Sequence, residues 1–201
     1  MPHVIMGAME AASTRERMIQ SAVLLMGENG VEATSFSDVI EHSGAPRGSI
    51  YHHFPGGKAQ LMEEATRFGG ALITTGLTAA LEQADPVAAV EGIAGFWRTA
   101  LRDTDFAAGC PVVAATVEGG RLPGARAAAR EAFSDWAELH AAILQRAGVE
   151  ETRARSIGML LVAAIEGAIV VARAERSQEP LDRVIDELQL VLAGAIGRAS
   201  G

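Results

Sequence analysis

Two short helical stretches meet at Ser43-Gly44 within the segment Phe36 to Lys58, FSDVIEHSGAPRGSIYHHFPGGK, and this segment constrains the chain more tightly than any other. Ser35 and Asp38 stand three apart, the spacing of an N-terminal capping box, with Asp in place of the usual Glu. Val39 and Ile40 then point inward, and Ser43-Gly44 breaks the helix. A glycine at this break lets two helix backbones approach closely. Pro46 is tolerated in the first turn of the next helix, because its missing N–H has no helical partner there. That helix is expected to run through Ser49, Ile50 and Tyr51 to Phe54 and to stop at Pro55-Gly56-Gly57. A longer helix precedes the pair. Ser13 and Glu16 form its capping box, Ile19, Ala22, Val23 and Met26 recur on one face, and Gly30 ends it. Three helices with a tight turn between the last two have the form of a helix-turn-helix.

The rest of the chain also reads as helix, since no stretch alternates apolar and polar residues between hairpin turns. A fourth helix starts at Lys58 and continues to about Glu82. Asp85-Pro86 opens one that carries Val90, Ile93, Phe96 and Trp97. Residues 103–109 form a connection, and Cys110 to Val117 a short helix ended by Gly119-Gly120. Pro123 or Gly124 opens a long helix whose stripe is Ala129, Ala132, Phe133, Trp136, His140, Ile143 and Leu144, ended by Gly148. Thr152 to Arg176 forms the most apolar helix, and Glu179-Pro180 starts the last. The expected fold is therefore all-α. It divides into a short disordered arm at 1–12, a helix-turn-helix domain at 13–66, and a larger helical domain at 67–201.

Composition excludes several classes. Cys110 is the single cysteine, so neither an internal disulfide framework nor a cysteine-rich zinc module is available. The first twelve residues hold no Lys or Arg and no long apolar run, so no secretory signal is expected and the cytoplasm is the default location. The apolar run Ile157 to Ala172 is interrupted by Glu166 and reads as a buried helix, shorter than a membrane span of ~20 residues. No metal and no cofactor are expected. His52 and His53 are adjacent, and on a helix they point about 100° apart, whereas a helical metal pair stands four apart.

The formal charge is −8, so any nucleic-acid contact must come from a local motif. Residues 1–66 hold four basic residues (Arg15, Arg17, Arg47, Lys58) and eight acidic ones. Yet Ser43 to Met62 contains Arg47 and Lys58 and no Asp or Glu, which keeps negative charge off the face of the motif. The small residues Ala45, Gly48 and Ser49 would let a helix sit deep in a major groove, and Tyr51, His52 and Lys58 can donate to phosphates.

The run Gly44-Ala45-Pro46-Arg47-Gly48-Ser49-Ile50-Tyr51-His52-His53-Phe54-Pro55, followed by Lys58, resembles the signature of the TetR family of bacterial transcriptional regulators. Gly30, Thr34 and Ile40 fall where that family places them. The Pro-Gly-Gly-Lys loop and the downstream Gly109-Cys110-Pro111 resemble the LmrA/YxaF-like subgroup. The resemblance implies a homodimeric regulator, a repressor, that binds a palindromic operator in double-stranded DNA and is released by a small-molecule effector. It implies that Tyr51, His53 and Lys58 lie at the phosphate backbone or brace the recognition helix. It implies that Arg47, Gly48, Ser49 and His52 face the bases. Thr34 and Ser35 complete the candidate DNA-binding set, and Phe54 reads as core.

A second candidate site lies downstream. Aromatics are scarce, yet Phe96, Trp97, Phe106, Phe133 and Trp136, with His140, fall on three segments expected to face one another. They are either the filling of an alanine-rich core or the wall of a pocket of the kind small molecules prefer. The expected walls are the helices beginning near Pro86, Cys110, Pro123 and Thr152. Cys110 reads as packing, pocket wall or redox sensor. Glu166, a charge inside an apolar helix, needs a partner: an Arg, a ligand, or a dimer neighbour. The helix around Ile157 to Val171 is apolar nearly all round, with Gly158, Ala163, Ala164, Gly167 and Ala168 among its small residues. Covering both sides calls for a second copy, with the last two helices of each subunit forming a four-helix bundle. A small helical enzyme or carrier using the aromatic pocket is the alternative, and it would leave Arg47, Ser49, His52 and Lys58 without a role.

Overall fold

A computed structural model describes residues 12–83 and 85–197, so the arm expected at 1–12 lies almost wholly outside the described residues. Among them the secondary structure is helical, with no strand. The order is α1 (Thr14–Asn29), α2 (Phe36–Ser43), α3 (Ile50–His53), α4 (Gly57–Gln83), α5 (Pro86–Asp103), α6 (Pro111–Glu118), a 3-10 turn (Gly119–Arg121), α7 (Pro123–Arg146), α8 (Glu151–Glu175) and α9 (Glu179–Gly197). Both expected capping boxes form, Ser13 with Glu16 and Ser35 with Asp38. The serine hydrogen bonds hold each of the two carboxyls below the usual carboxylate range.

The residues fall into two compact units. The first takes the described residues up to Ala71 together with Asp103–Ala132, and the second takes Leu72–Arg102 with the described residues from Phe133 onward. This division differs from a single boundary at 66/67, because the segment around α6 joins the helix-turn-helix. The cause is close backbone packing. A Cβ on Gly27 would lie 2.2 Å from the Gly109 carbonyl oxygen, and one on Gly69 would lie 2.7 Å from Pro111 Cγ. Only glycine permits these approaches.

The core of the first unit is built on α1, which packs against α2, α3 and α6. Met18, Ala22, Val23 and Met26 are buried there, joined by Val39, Ile50, Phe54, Leu61 and Met62. Phe54 is fully buried, as its core reading requires. Gly44 ends α2 in the left-handed conformation (φ 63°, ψ 22°), which glycine adopts at no steric cost.

The second unit is held by α8 packed along α9. Ile157, Leu161, Ile165, Ile169 and Ala172 of α8 are buried, with Leu181, Ile185, Leu188 and Leu192 of α9. Arg98 of α5 pairs with Asp182 at 2.6 Å and with Glu91, and Gln178 donates to the Arg98 carbonyl at 2.7 Å. The small residues of α8 divide between two faces. Gly158 and Ala168 are buried, and a Cβ on Gly158 would lie 2.4 Å from the Ala137 carbonyl oxygen of α7. Ala163 and Gly167 are exposed, beside Met159, Leu160, Val170 and Val171. α8 is long and apolar enough to cross a membrane, its most apolar 18-residue window having a mean hydropathy of 2.0 with 44% of it buried within the chain. Its length, expected to fall short of a span, is therefore no objection to one. Its buried face and its packing on α9 give it a place in a globular core.

Candidate nucleic-acid interface and ligand cavity

α3 is shorter than expected. Pro46, Arg47 and Gly48 form a turn, closed by the Ser49 N–H donating to the Pro46 carbonyl at 2.9 Å, and regular helix covers only Ile50–His53. Gly48 weakens helix propagation in this stretch. Ile50 and Phe54 are buried, so they anchor the turn and the single helical turn to the core. The residues between and beside them face outward. Arg47, Gly48 and His52 are exposed, His53 is half-buried, and Tyr51 is 70% exposed. Tyr51 is placed by its ring, which meets the Phe36 ring edge-on at 5.6 Å between centroids. The adjacent histidines thus diverge as a helix requires, one outward and one partly inward.

The hydroxyls of this region are engaged within the chain. Ser49 Oγ donates to the Pro46 carbonyl at 2.7 Å, and Ser35 Oγ accepts the Asp38 N–H at 3.2 Å. Thr34 is buried at 1% exposure, and its Oγ1 donates to the Gly30 carbonyl at 2.7 Å. Its side chain closes the loop between α1 and α2 and is not part of the exposed face. Lys58 Nζ donates to the Glu32 carbonyl at 2.9 Å, which brings this ammonium to the α1–α2 loop. Three contacts missed from the sequence brace the motif. Arg17 Nε donates to the Ser43 carbonyl at 3.3 Å, His42 Nδ1 lies 2.9 Å from Ser21 Oγ, and Arg15, paired with Glu64, lies over the Phe54 ring. Chemically the exposed face offers one guanidinium, one phenol, an imidazole and a lysine ammonium, all donors suited to phosphate oxygens and base edges.

The second unit holds a small, half-open cavity lined by Ile73, Ile93, Trp97, Trp136, His140, Val162, Ile165 and Glu166. A water centre can reach about 20 Å³ of it, room for one or two waters. Of the eight residues expected to line a pocket, the structure brings together Trp97, Trp136, His140 and Glu166. Phe96 and Phe133 stand behind the two indoles, edge-on to Trp97 at 5.4 Å and to Trp136 at 5.3 Å. Phe106 and Cys110 belong to the other compact unit and do not line this cavity. Its walls come from α4, α5, α7 and α8, so the helix near Cys110 is replaced by α4, through Ile73. The aliphatic lining Ile73, Ile93, Val162 and Ile165 was legible only as helical core. His140 is 3% exposed, and burial pushes its pKa down to about 4, so its imidazole is neutral at pH 7.

A buried three-helix base that presents a short donor-rich helix, with a second helical unit holding an apolar cavity, defines a helix-turn-helix transcriptional regulator. Comparison with known proteins agrees. Residues 18–65 match the bacterial regulatory proteins of the tetR family, and residues 86–187 match the C-terminal domain of LmrA/YxaF-like transcriptional regulators. The chain is 38% identical over 192 residues to the HTH-type transcriptional regulator Rv0196 of Mycobacterium tuberculosis, covering 92% of this chain and 97% of that one. It is 30% identical over 175 residues to the HTH-type transcriptional regulator LmrA of Bacillus subtilis, covering 86% and 93%. A TetR transcriptional regulator from Legionella pneumophila shares the fold, with a TM-score of 0.77 at 21% identity over 90% of this chain and 97% of that one. The chain belongs to the TetR family, in its LmrA/YxaF-like branch. These relatives are regulators, which sets the enzyme alternative aside.

Proposed function

We propose that the protein is a cytoplasmic repressor that binds a palindromic operator as a homodimer and leaves it when a small molecule occupies the cavity of Trp97, Trp136, His140 and Glu166. The observation that carries the reading is the exposed face of Arg47, Gly48, Tyr51 and His52, held between the buried anchors Ile50 and Phe54. Tyr51, His53 and Lys58 take the phosphate backbone, and Arg47, Gly48, Ser49 and His52 take the bases. Ser35 contributes through the start of α2, where its cap orders the backbone. The second copy covers the apolar strip of Met159, Leu160, Ala163, Gly167, Val170 and Val171 on α8, continued by Leu190 on α9, itself 67% exposed. A strip of that kind on a polar surface marks a protein interface. Two-fold pairing of α8 and α9 would set two reading heads on one duplex, as half-sites about 34–36 Å apart demand. A ligand that favours a different spacing lowers DNA affinity by its differential binding to the two states.

Fluorescence anisotropy with duplexes from the region upstream of the protein's own gene tests the reading. Specific binding at low salt that weakens as salt rises is expected. Equal binding to every duplex, or none, would refute it.

A further inference from the structure

Tyr51 stands on a helix of a single turn, Ile50–His53, and is 70% exposed. Water gives such a side chain no fixed direction. It rotates about two bonds, and a contact made through it costs the order the side chain must acquire on binding. The Phe36 ring opposes that freedom, meeting the Tyr51 ring edge-on at 5.6 Å between centroids with the planes at 77°. Resting on the reading of Tyr51 as a contact to the phosphate backbone, we infer that Phe36 is a positioning residue for DNA binding. It sets the direction of the Tyr51 phenol before the duplex arrives, and it acts through Tyr51 rather than on the duplex.

Phe36 is itself well placed to do this. It is the first residue of α2 and follows Ser35, whose capping box with Asp38 fixes that turn. The ring is half-buried, and both it and Tyr51 border the open groove between α2 and α3 that Arg47 also lines. The contact therefore bridges two helices, each anchored separately, α2 by Val39 and α3 by Ile50. An edge-on aromatic pair attracts beyond the area it covers, because the positive rim of one ring meets the negative face of the other. Packing alone does not account for the pair, since most of Tyr51 remains in water. Nor is the phenol engaged elsewhere. The Ser35 and Ser49 hydroxyls are bonded within the chain, whereas among the described residues no hydrogen bond takes the Tyr51 hydroxyl. Its ring is held and its donor is left available.

The duplex bound most tightly from the region upstream of the protein's own gene is the probe, with the purified full-length protein. Phe36→Leu keeps an apolar side chain and removes the ring. It should weaken binding about fivefold, within the range that ordering one such side chain spans. The slope of log affinity against log salt should not change, because no charge is lost. With Tyr51→Ala already present, Phe36→Leu should cost less than about twofold, since the residue it acts through is gone. Phe36→Tyr keeps an edge-on ring and should stay within about twofold of the unmodified protein. Tyr51 is the single tyrosine, so isotope labelling of tyrosine rings gives one set of NMR signals. Without DNA these should lie away from free tyrosine, displaced by the Phe36 ring current, and move toward it in Phe36→Leu. Signals of free tyrosine in the unmodified protein overturn the inference without any variant. So does a Phe36→Leu loss of equal size in both backgrounds, the mark of a general structural role, or no loss in either. A loss in Phe36→Tyr as large as in Phe36→Leu overturns it as well. Where Phe36→Leu melts below the assay temperature, Phe36→Tyr and the labelled spectrum decide. Where Tyr51→Ala binds as tightly as the unmodified protein, Tyr51 leaves the phosphate contacts and the inference goes with it, while the regulator reading stands. Where no duplex is bound specifically, the DNA-binding reading falls and takes the inference with it.

Discussion

The Glu118 carboxylate accepts the backbone N–H of Glu32 at 2.9 Å, and it lies where a side chain on residue 30 would have to be. A Cβ on Gly30 would come within 2.3 Å of a carboxylate oxygen, and φ at Gly30 is +88°. α6 is thereby tied to the α1–α2 loop, whose Glu32 carbonyl also receives Lys58. Glu118→Ala should lower stability by about 1 kcal/mol, the worth of one hydrogen bond, and Glu118→Gln by less, because an acceptor oxygen remains. Gly30→Ala should cost more than either, through strained φ and the clash. In the double variant the clash is gone, so urea melts should show a loss smaller than the sum of the two single losses. Strict additivity would mean that the two residues do not interact.

Lys58 and Arg47 should fail in different ways. Lys58→Ala should weaken all duplexes alike and lower the slope of log affinity against log salt by about one, as loss of one phosphate contact does. Arg47→Ala should instead alter the preferred sequence, by about 1–3 kcal/mol at one base pair if the guanidinium reads a guanine. Anisotropy on an operator library over a salt series measures both.

Two glycines of α8 offer a contrast. A Cβ at Gly167 meets nothing within 4 Å in the single chain, whereas one at Gly158 meets the Ala137 carbonyl at 2.4 Å. Gly167→Arg should leave a folded monomer, because the charge enters only the apolar seam between copies. Gly158→Ala should destabilise the fold itself, by about 1–3 kcal/mol from overpacking. Sedimentation beside thermal melting distinguishes them. A Gly167→Arg protein that remains dimeric would place the seam elsewhere.

The buried His140 should make the second unit sensitive to acid. Its folded pKa, about 4, lies below the ordinary 6.5, so between those values the unfolded chain binds a proton that the folded chain refuses. Stability is unaffected by this group above pH 6.5 and falls as pH drops toward 4, by roughly 3 kcal/mol at most. His140→Phe should flatten the stability curve over that interval. An unchanged slope in urea melts at pH 7, 6, 5 and 4.5 would show that other groups set it.

What could be read from the sequence followed from local chemistry. Capping boxes at Ser13 and Ser35 and the stop at Gly44 depend on residues three or four apart, and they formed where expected. The recognition helix was overextended toward Pro46, since proline's tolerance in a first turn does not oblige the helix to begin there, and Gly48 tips the balance. Thr34 reads from the sequence as a DNA-binding residue, but its hydroxyl has a backbone acceptor four residues back. The scarcity of aromatics groups Phe106 with the indoles, and Cys110 reads as packing, pocket wall or redox sensor. Their true position depends on the seating of Gly109 against Gly27 and Pro111 against Gly69, contacts across 82 and 42 residues of chain that no local pattern encodes. The small residues of α8 advertised close packing without showing that Gly158 faces α7 while Gly167 faces out.

The seating of Gly27 on Gly109 carries a mechanical consequence. Where helices meet through long side chains, a small displacement is absorbed by rotamer changes and dies out near its source. Here a hydrogen is all that separates α1 from the turn before α6, and the Pro111–Gly69 approach leaves as little play. Such a joint has almost no compliance. A push on α6 of even half an ångström has no soft element in which to dissipate, so α1 and the loop that carries Thr34 and Ser35 must move with it as one stiff lever.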